Sequence, residues 1–153
     1  MRRRAAALIG CVLLAGACET HEFEPPSRAE RVSEADSLYS PALFDSITWT
    51  SDSLRIAVGN DIFASRCRRC HGYLGRGGAV EVFGDTVTVP SLVEPDWPFA
   101  GDIPGIHRRI FTGHPLGMPT WGVAGLGMRE IDAVAFYIDR VLRPEAAGLP
   151  AAR

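Results

Sequence analysis

Cys67-Arg68-Arg69-Cys70-His71 constrains this chain more than any other stretch of it. Two thiols three residues apart share one face of a helix, and an imidazole follows at once. Such a segment belongs at the end of a helix, where it turns three reactive or ligating groups toward one place. The chain has four cysteines, at 11, 18, 67 and 70. Those at 67 and 70 are the pair that a folded domain has to account for.

The chain opens with Arg2-Arg3-Arg4 and an apolar run from Ala5 to Ala17. This is the layout of a secretory signal, shorter than the ~20 residues of a bilayer-spanning helix. The run ends Leu13-Leu14-Ala15-Gly16-Ala17-Cys18, which resembles a bacterial lipobox, with Ala15 where leucine is usual. An ordinary cleavable signal is the alternative. The resemblance implies a signal peptide over residues 1–17 and acylation of Cys18. Two or more acyl chains anchor stably, so the expected product is exported and tethered on the periplasmic side to the inner or outer membrane. Residues 18–50 then read as the lipidated cysteine and a flexible acidic linker. Glu19, Glu22, Glu24, Glu30, Glu34 and Asp36 charge it, and Pro25, Pro26 and Pro41 interrupt it. A short helix between Ala29 and Tyr39 stays open. As a coil of ~32 residues the linker would reach ~30 Å root-mean-square.

The domain is expected over residues 51–143, with a flexible tail at 144–153. Ser51 or Ser53 caps a helix with Leu54, Val58, Ile62 and Phe63 at helical spacing, ending near Cys67. Residues 72–105 are rich in glycine and proline and read as ordered loop, with a short strand at Thr86–Val89 as the other reading. A short helix is expected over Ile106–Phe111. The clearest helix carries Met128, Ile131, Val134, Ala135, Ile138, Val141 and Leu142 on one face. Glu130 and Asp132 at its start and Arg140 and Arg143 at its end match the macrodipole, and Pro144 marks its stop. Fewer than 100 residues make a thin core, so something other than side chains should fill the centre.

Cys-x-x-Cys-His is the attachment signature of c-type haem: the thiols of Cys67 and Cys70 form thioethers with the macrocycle, and His71 becomes the proximal iron ligand. A thioredoxin-like disulfide needs a βαβ setting that is missing, and a structural zinc site needs four ligands. A sixth ligand is required if iron is to pass electrons without binding substrate. Met118, in Gly117-Met118-Pro119, is the candidate, since a thioether raises the potential. His114 is its rival, or a solvent-facing loop histidine. Met128 reads as core.

With these residues in view the domain resembles a class I c-type cytochrome. Gly59-x-x-x-Phe63-x-x-x-Cys67 is similar to the family's first helix, where glycine lets the last helix cross closely against Val134 and Tyr137. Cys70-His71-Gly72, Gly75 and Gly77 resemble the run after attachment, and Gly113 with Met118-Pro119-Thr120-Trp121 the distal loop. The resemblance implies an all-α fold whose first and last helices cross around one covalent haem c. Cys67, Cys70, His71 and Met118 would bind it, with His71 and Met118 on the iron. It also implies a proline carbonyl behind the proximal histidine, for which Pro90 is the candidate. Trp97, Phe99 and Trp121 either line the haem or belong to the core. The implied function is single-electron transfer by a membrane-tethered carrier, not an enzyme, with a haem subunit of a larger respiratory complex as the alternative. Its partners would be redox proteins such as membrane respiratory complexes or oxidases, and the chain would be a monomer or a complex subunit. A net charge of −2 argues against nucleic acid. Arg66, Arg68, Arg69 and Arg76 gather near the motif, as a docking face for an acidic partner or as solvated surface.

Overall fold

The computed structural model describes residues 23–82 and 84–149. Two helices at its centre cross at their closest residues. α2 (Asp52–Ile62) begins at Ser51, whose hydroxyl accepts the Leu54 N–H at 3.2 Å. It runs on through a π-helical turn, Phe63–Cys67, into α3 (Arg68–His71). Helical backbone therefore carries the whole motif and stops at Gly72 (φ 78°), beyond the expected end at Cys67. The inserted residue of a π turn shifts the following side chains by ~100° around the axis. Phe63 thus stays in the core, 2% exposed, while the motif faces elsewhere.

The partner is α6 (Met128–Tyr137), which passes through a second π turn, Ile138–Leu142, into α7 (Arg143–Ala146). Glu130 caps it by accepting the Gly127 N–H at 2.8 Å. Pro144 was expected to stop this helix. It lies instead in the first turn of α7, where a missing N–H costs little, so part of the expected tail is helical. At the crossing, a Cβ on Gly59 would lie 2.6 Å from Tyr137 Cβ and closer still to the Ala133 carbonyl oxygen. Tyr137 is the contact expected from the sequence. The Ala133 carbonyl is nearest, and Val134, one position on, is fully buried.

α4 (Ile103–Thr112), capped by the Asp102 carboxylate with Pro104 in its first turn, packs on α6. It supplies Ile106, Ile110 and Phe111 to a core shared with Ile131, Val134, Ile138 and Leu142. The expected helix at Ile106–Phe111 is there and longer. A single turn, α5 (Trp121–Ala124), interrupts the following loop.

The fold is helical but not all-α. β1 (Gly78–Val82) and β2 (Asp85–Val89) form an antiparallel hairpin, with Gly78 opposite Val89 and Val82 opposite Asp85. Val80, Val82, Val87 and Val89 recur at period two, and Pro90, which cannot donate to a ladder, ends the pairing. The loop reading of this segment is corrected accordingly.

Residues 28–50 also differ from the expected flexible linker. Ser27 and Glu30 make a capping box at the start of α1 (Arg28–Leu38). Its Asp36 receives a bidentate pair from Arg108 of α4, Nε to Oδ1 at 3.0 Å and Nη2 to Oδ2 at 2.9 Å, and its Ala35 is fully buried. Tyr39 meets Phe111 edge-on at 5.5 Å, and Phe44, in the 3-10 turn Pro41–Phe44, stacks on His107 at 4.0 Å. Trp49 Nε1 donates to Asp132 at 2.7 Å. Few residues bury, but the aromatic ones are large plugs in pockets of the domain, which is enough to order a segment poor in apolar residues.

Asp132 is the centre of that attachment. It sits at the start of α6, as the macrodipole reading has it, and is 5% exposed. Arg55 Nη2 lies 2.5 Å and His107 Nε2 3.2 Å from its Oδ1, and Trp49 bonds Oδ2. Arg55 in turn covers the Phe136 ring at 4.0 Å. Burial pushes the Asp132 carboxyl up, but the adjacent His107 ring, the bonds from Trp49 and Arg55 and the charge of Arg55 more than reverse this and hold it below the ordinary carboxylate range.

Candidate functional site

The motif faces an apolar cleft of about 500 Å³, a size that suits a large flat cofactor. Cys67, Cys70 and His71 enter from the end of the first helix. Met118 and His114 enter from the loop after α4, and the hairpin supplies Val82, Val87 and Val89. Leu92, Ile106, Ile110 and Ile138 line the rest, with Trp97 and Phe99. The structure thus brings all four sequence-predicted site residues to one cavity. Trp97 and Phe99 are there too, ring centroids 5.4 Å apart, whereas Trp121 begins α5 and packs on the core instead. Met128 packs on the core as expected.

Both thiols are free. Burial, reinforced by Cys70, pushes the Cys67 thiol up to about 12, so in this conformation it is protonated. No group of three His, Cys, Asp or Glu side chains among the described residues is placed to hold a metal.

His71 is set by the loop behind it. Gly77 N–H donates to the His71 carbonyl at 2.9 Å and Leu92 N–H to that of Gly75 at 2.8 Å. A Cβ on Gly77, which has φ 67°, would lie 2.8 Å from the Pro90 carbonyl oxygen. That close pass brings Pro90 to the imidazole. Burial pushes the His71 ring down, and the Pro90 carbonyl partly offsets this. The contact is not a well-formed hydrogen bond, because His71 Nδ1 is buried with no partner of good geometry. An Nδ1–H aimed near a carbonyl leaves the lone pair on Nε2 for a metal.

The Met118 loop is a tight turn. Gly113 has φ 71°, and a Cβ there would meet the Met118 carbonyl oxygen at 2.5 Å. His114 N–H donates to that same oxygen at 3.0 Å. Arg109 ties α4 to the loop through a 3.2 Å bond to the Gly113 carbonyl. His114 is half-buried, and burial together with Arg109 pushes its ring below the ordinary value.

The donors fit covalent haem: two adjacent thiols, an imidazole with a second-atom neighbour, a thioether from another element and apolar walls between them. Sequence reasoning named the four residues that the fold gathers here, but favoured loop for the hairpin wall, with a strand at Thr86–Val89 as the other reading. The alternating valines were its signal.

Comparison with known proteins agrees. The family described as cytochrome c oxidase, cbb3-type, subunit III matches residues 54–138. Two curated relatives, both named cbb3-type cytochrome c oxidase subunit CcoP and both from Rhodobacter capsulatus, are 29% and 30% identical over 117 residues. In each case 67% of this chain is covered, and the chain spans 37% of the relative's length. No solved structure matches the chain at a significant level.

Proposed function

Because the chain belongs to the family of cbb3-type cytochrome c oxidase subunit III domains, and so is a class I c-type cytochrome with covalently bound haem c, we propose that it serves as a monohaem electron-transfer subunit of a membrane respiratory complex. Haem c supplies a one-electron ferric/ferrous couple when bound. The chain's own residues do the rest. Cys67 and Cys70 would hold the macrocycle covalently, His71, its ring turned by the Pro90 loop, would be one iron ligand, and Met118 would be the other. The valines of the hairpin and Ile106, Ile110 and Ile138 would keep water from the bound group, and such exclusion favours the less charged ferrous form.

The observation that carries this reading is the meeting of Cys67, Cys70, His71 and Met118 in one apolar cleft, within the span the family matches. The relatives' names favour the subunit over a free carrier. Export and a lipid anchor at Cys18 complete the proposal. They rest on the sequence, since residues 1–22 lie outside the described ones. Among the described residues no helix is long and apolar enough to cross a membrane.

Two measurements test it. In the haem-matured chain, the ferric spectrum should be low-spin with the weak red sulfur-to-iron band, and Met118→Ala should abolish that band. A band that survives the substitution removes Met118 from the iron. Mild solubilisation of native membranes should recover the chain with other respiratory subunits; a free monomer there returns the reading to a diffusing carrier.

A further inference from the structure

We propose that His114 is a positioning residue that holds the Met118 loop through its ring nitrogen, and is not itself an iron ligand. This rests on the reading of Met118 as the distal ligand. Between Gly113 and Met118 the backbone offers three N–H groups, from residues 114, 116 and 117, because residue 115 is proline. His114 takes part in the bond made by every one of them. Its own N–H donates to the Met118 carbonyl at 3.0 Å, its carbonyl accepts the Gly117 N–H at 3.0 Å, and its Nδ1 accepts the Leu116 N–H at 3.2 Å.

The last of these is the side-chain bond of an Asx turn, in which residue i accepts the N–H of residue i+2, made here with imidazole in place of a carboxamide. A ring that accepts at Nδ1 carries its proton on Nε2. Its one remaining nitrogen then has no lone pair to offer a metal, although the residue lines the same cleft as Met118. Leu116 is 63% exposed, so nothing apolar clamps the turn from outside at that point. The hairpin braces it one residue later, where a Cβ on Gly117 would lie 3.1 Å from Val82 Cγ1. The Nδ1 bond is therefore the internal strut of the segment that presents the thioether.

The test uses the full haem-matured chain with His114→Ala, His114→Asn and Met118→Ala. Two readouts are taken: the rate at which added imidazole replaces the sulfur ligand, followed by loss of the red band, and amide hydrogen exchange at Leu116. Asparagine restores an acceptor for the i+2 N–H and alanine does not. Loss of one neutral hydrogen bond corresponds to roughly fivefold, so His114→Ala should exchange ligand and Leu116 amide hydrogen roughly fivefold faster, with His114→Asn close to wild type. Alanine and asparagine behaving alike, whether both fast or both unchanged, overturns the positioning role. Retention of the low-spin spectrum by Met118→Ala with its loss in both His114 variants overturns the ligand reading instead, since only an iron-bound imidazole gives that pattern.

Discussion

Gly59→Ala adds one methyl group at the point where α2 and α6 touch. That methyl would stand 2.6 Å from Tyr137 Cβ and 2.8 Å from the Ala133 carbonyl carbon. Carbon atoms rest at about 3.5–4.0 Å, so the helices must part by about 1 Å. The obstacle is backbone and a Cβ, neither of which swings aside. Overpacking costs about 1–3 kcal/mol, and rigid neighbours put this site near 3. The same substitution gains about 1 kcal/mol of helix propensity. The net expectation is a loss of about 2 kcal/mol, or about 8 °C in Tm at about 4 °C per kcal/mol. Far-UV circular dichroism melts of the haem-matured chain measure it, with Ala57→Gly as control. Ala57 is exposed on the same helix, so its change should read propensity alone, about 4 °C downward. If propensity governs both sites, Gly59→Ala raises the Tm while Ala57→Gly lowers it. A Tm at or above wild type for Gly59→Ala would refute the argument that this glycine exists for the crossing.

Asp132→Ala leaves the buried Arg55 guanidinium without its anion. Breaking such a pair costs about 3–5 kcal/mol; because Arg55 keeps 17% exposure and a ring contact, about 3 is expected, read as a denaturant midpoint shift at constant slope. The same carboxylate sets an acid limit. Its folded value lies below its unfolded one, so the unfolded chain binds the proton first as pH falls. The stabilisation is then present above about pH 4 and lost as pH drops through the folded value. Urea titrations from pH 6 down to about pH 2.5 should show Asp132→Asn with the shallower acid limb; parallel limbs would place the acid sensitivity elsewhere.

Much of the site was legible because its chemistry needs fixed spacing. Cys67, Cys70 and His71 are adjacent in sequence, and Gly59 and Met118 sit in recognisable local contexts. The hairpin was less so: its valines alternate, but strand pairing is a non-local event, and no strong two-residue turn signal such as Asn-Gly joins the runs. Residues 28–50 looked unstructured because their burial is carried by isolated plugs, Ala35, Tyr39, Phe44 and Trp49, which form no periodic face. The burial of Asp132 was not legible, since the macrodipole argument and the buried ion pair put the same residue type at the same helix position. The two π turns leave no local signature at all, yet the first decides which way the motif points and the second carries the helix past Pro144.

The ordering of residues 28–50 changes the mechanics of any anchor at Cys18. A coil free all the way to Ser51 would let the domain tumble above a surface and sample partners at many heights. With the chain docked from Ser27 onward, Cys18 and Ser27 are separated by nine peptide steps, at most about 32 Å when drawn straight. The attachment point on the domain is the start of α1, fixed to α4 by Asp36 and Arg108. The membrane would then act on the domain through a short arm with one pivot, and the heading of the haem cleft relative to the bilayer would be set largely by where on the domain that pivot lies.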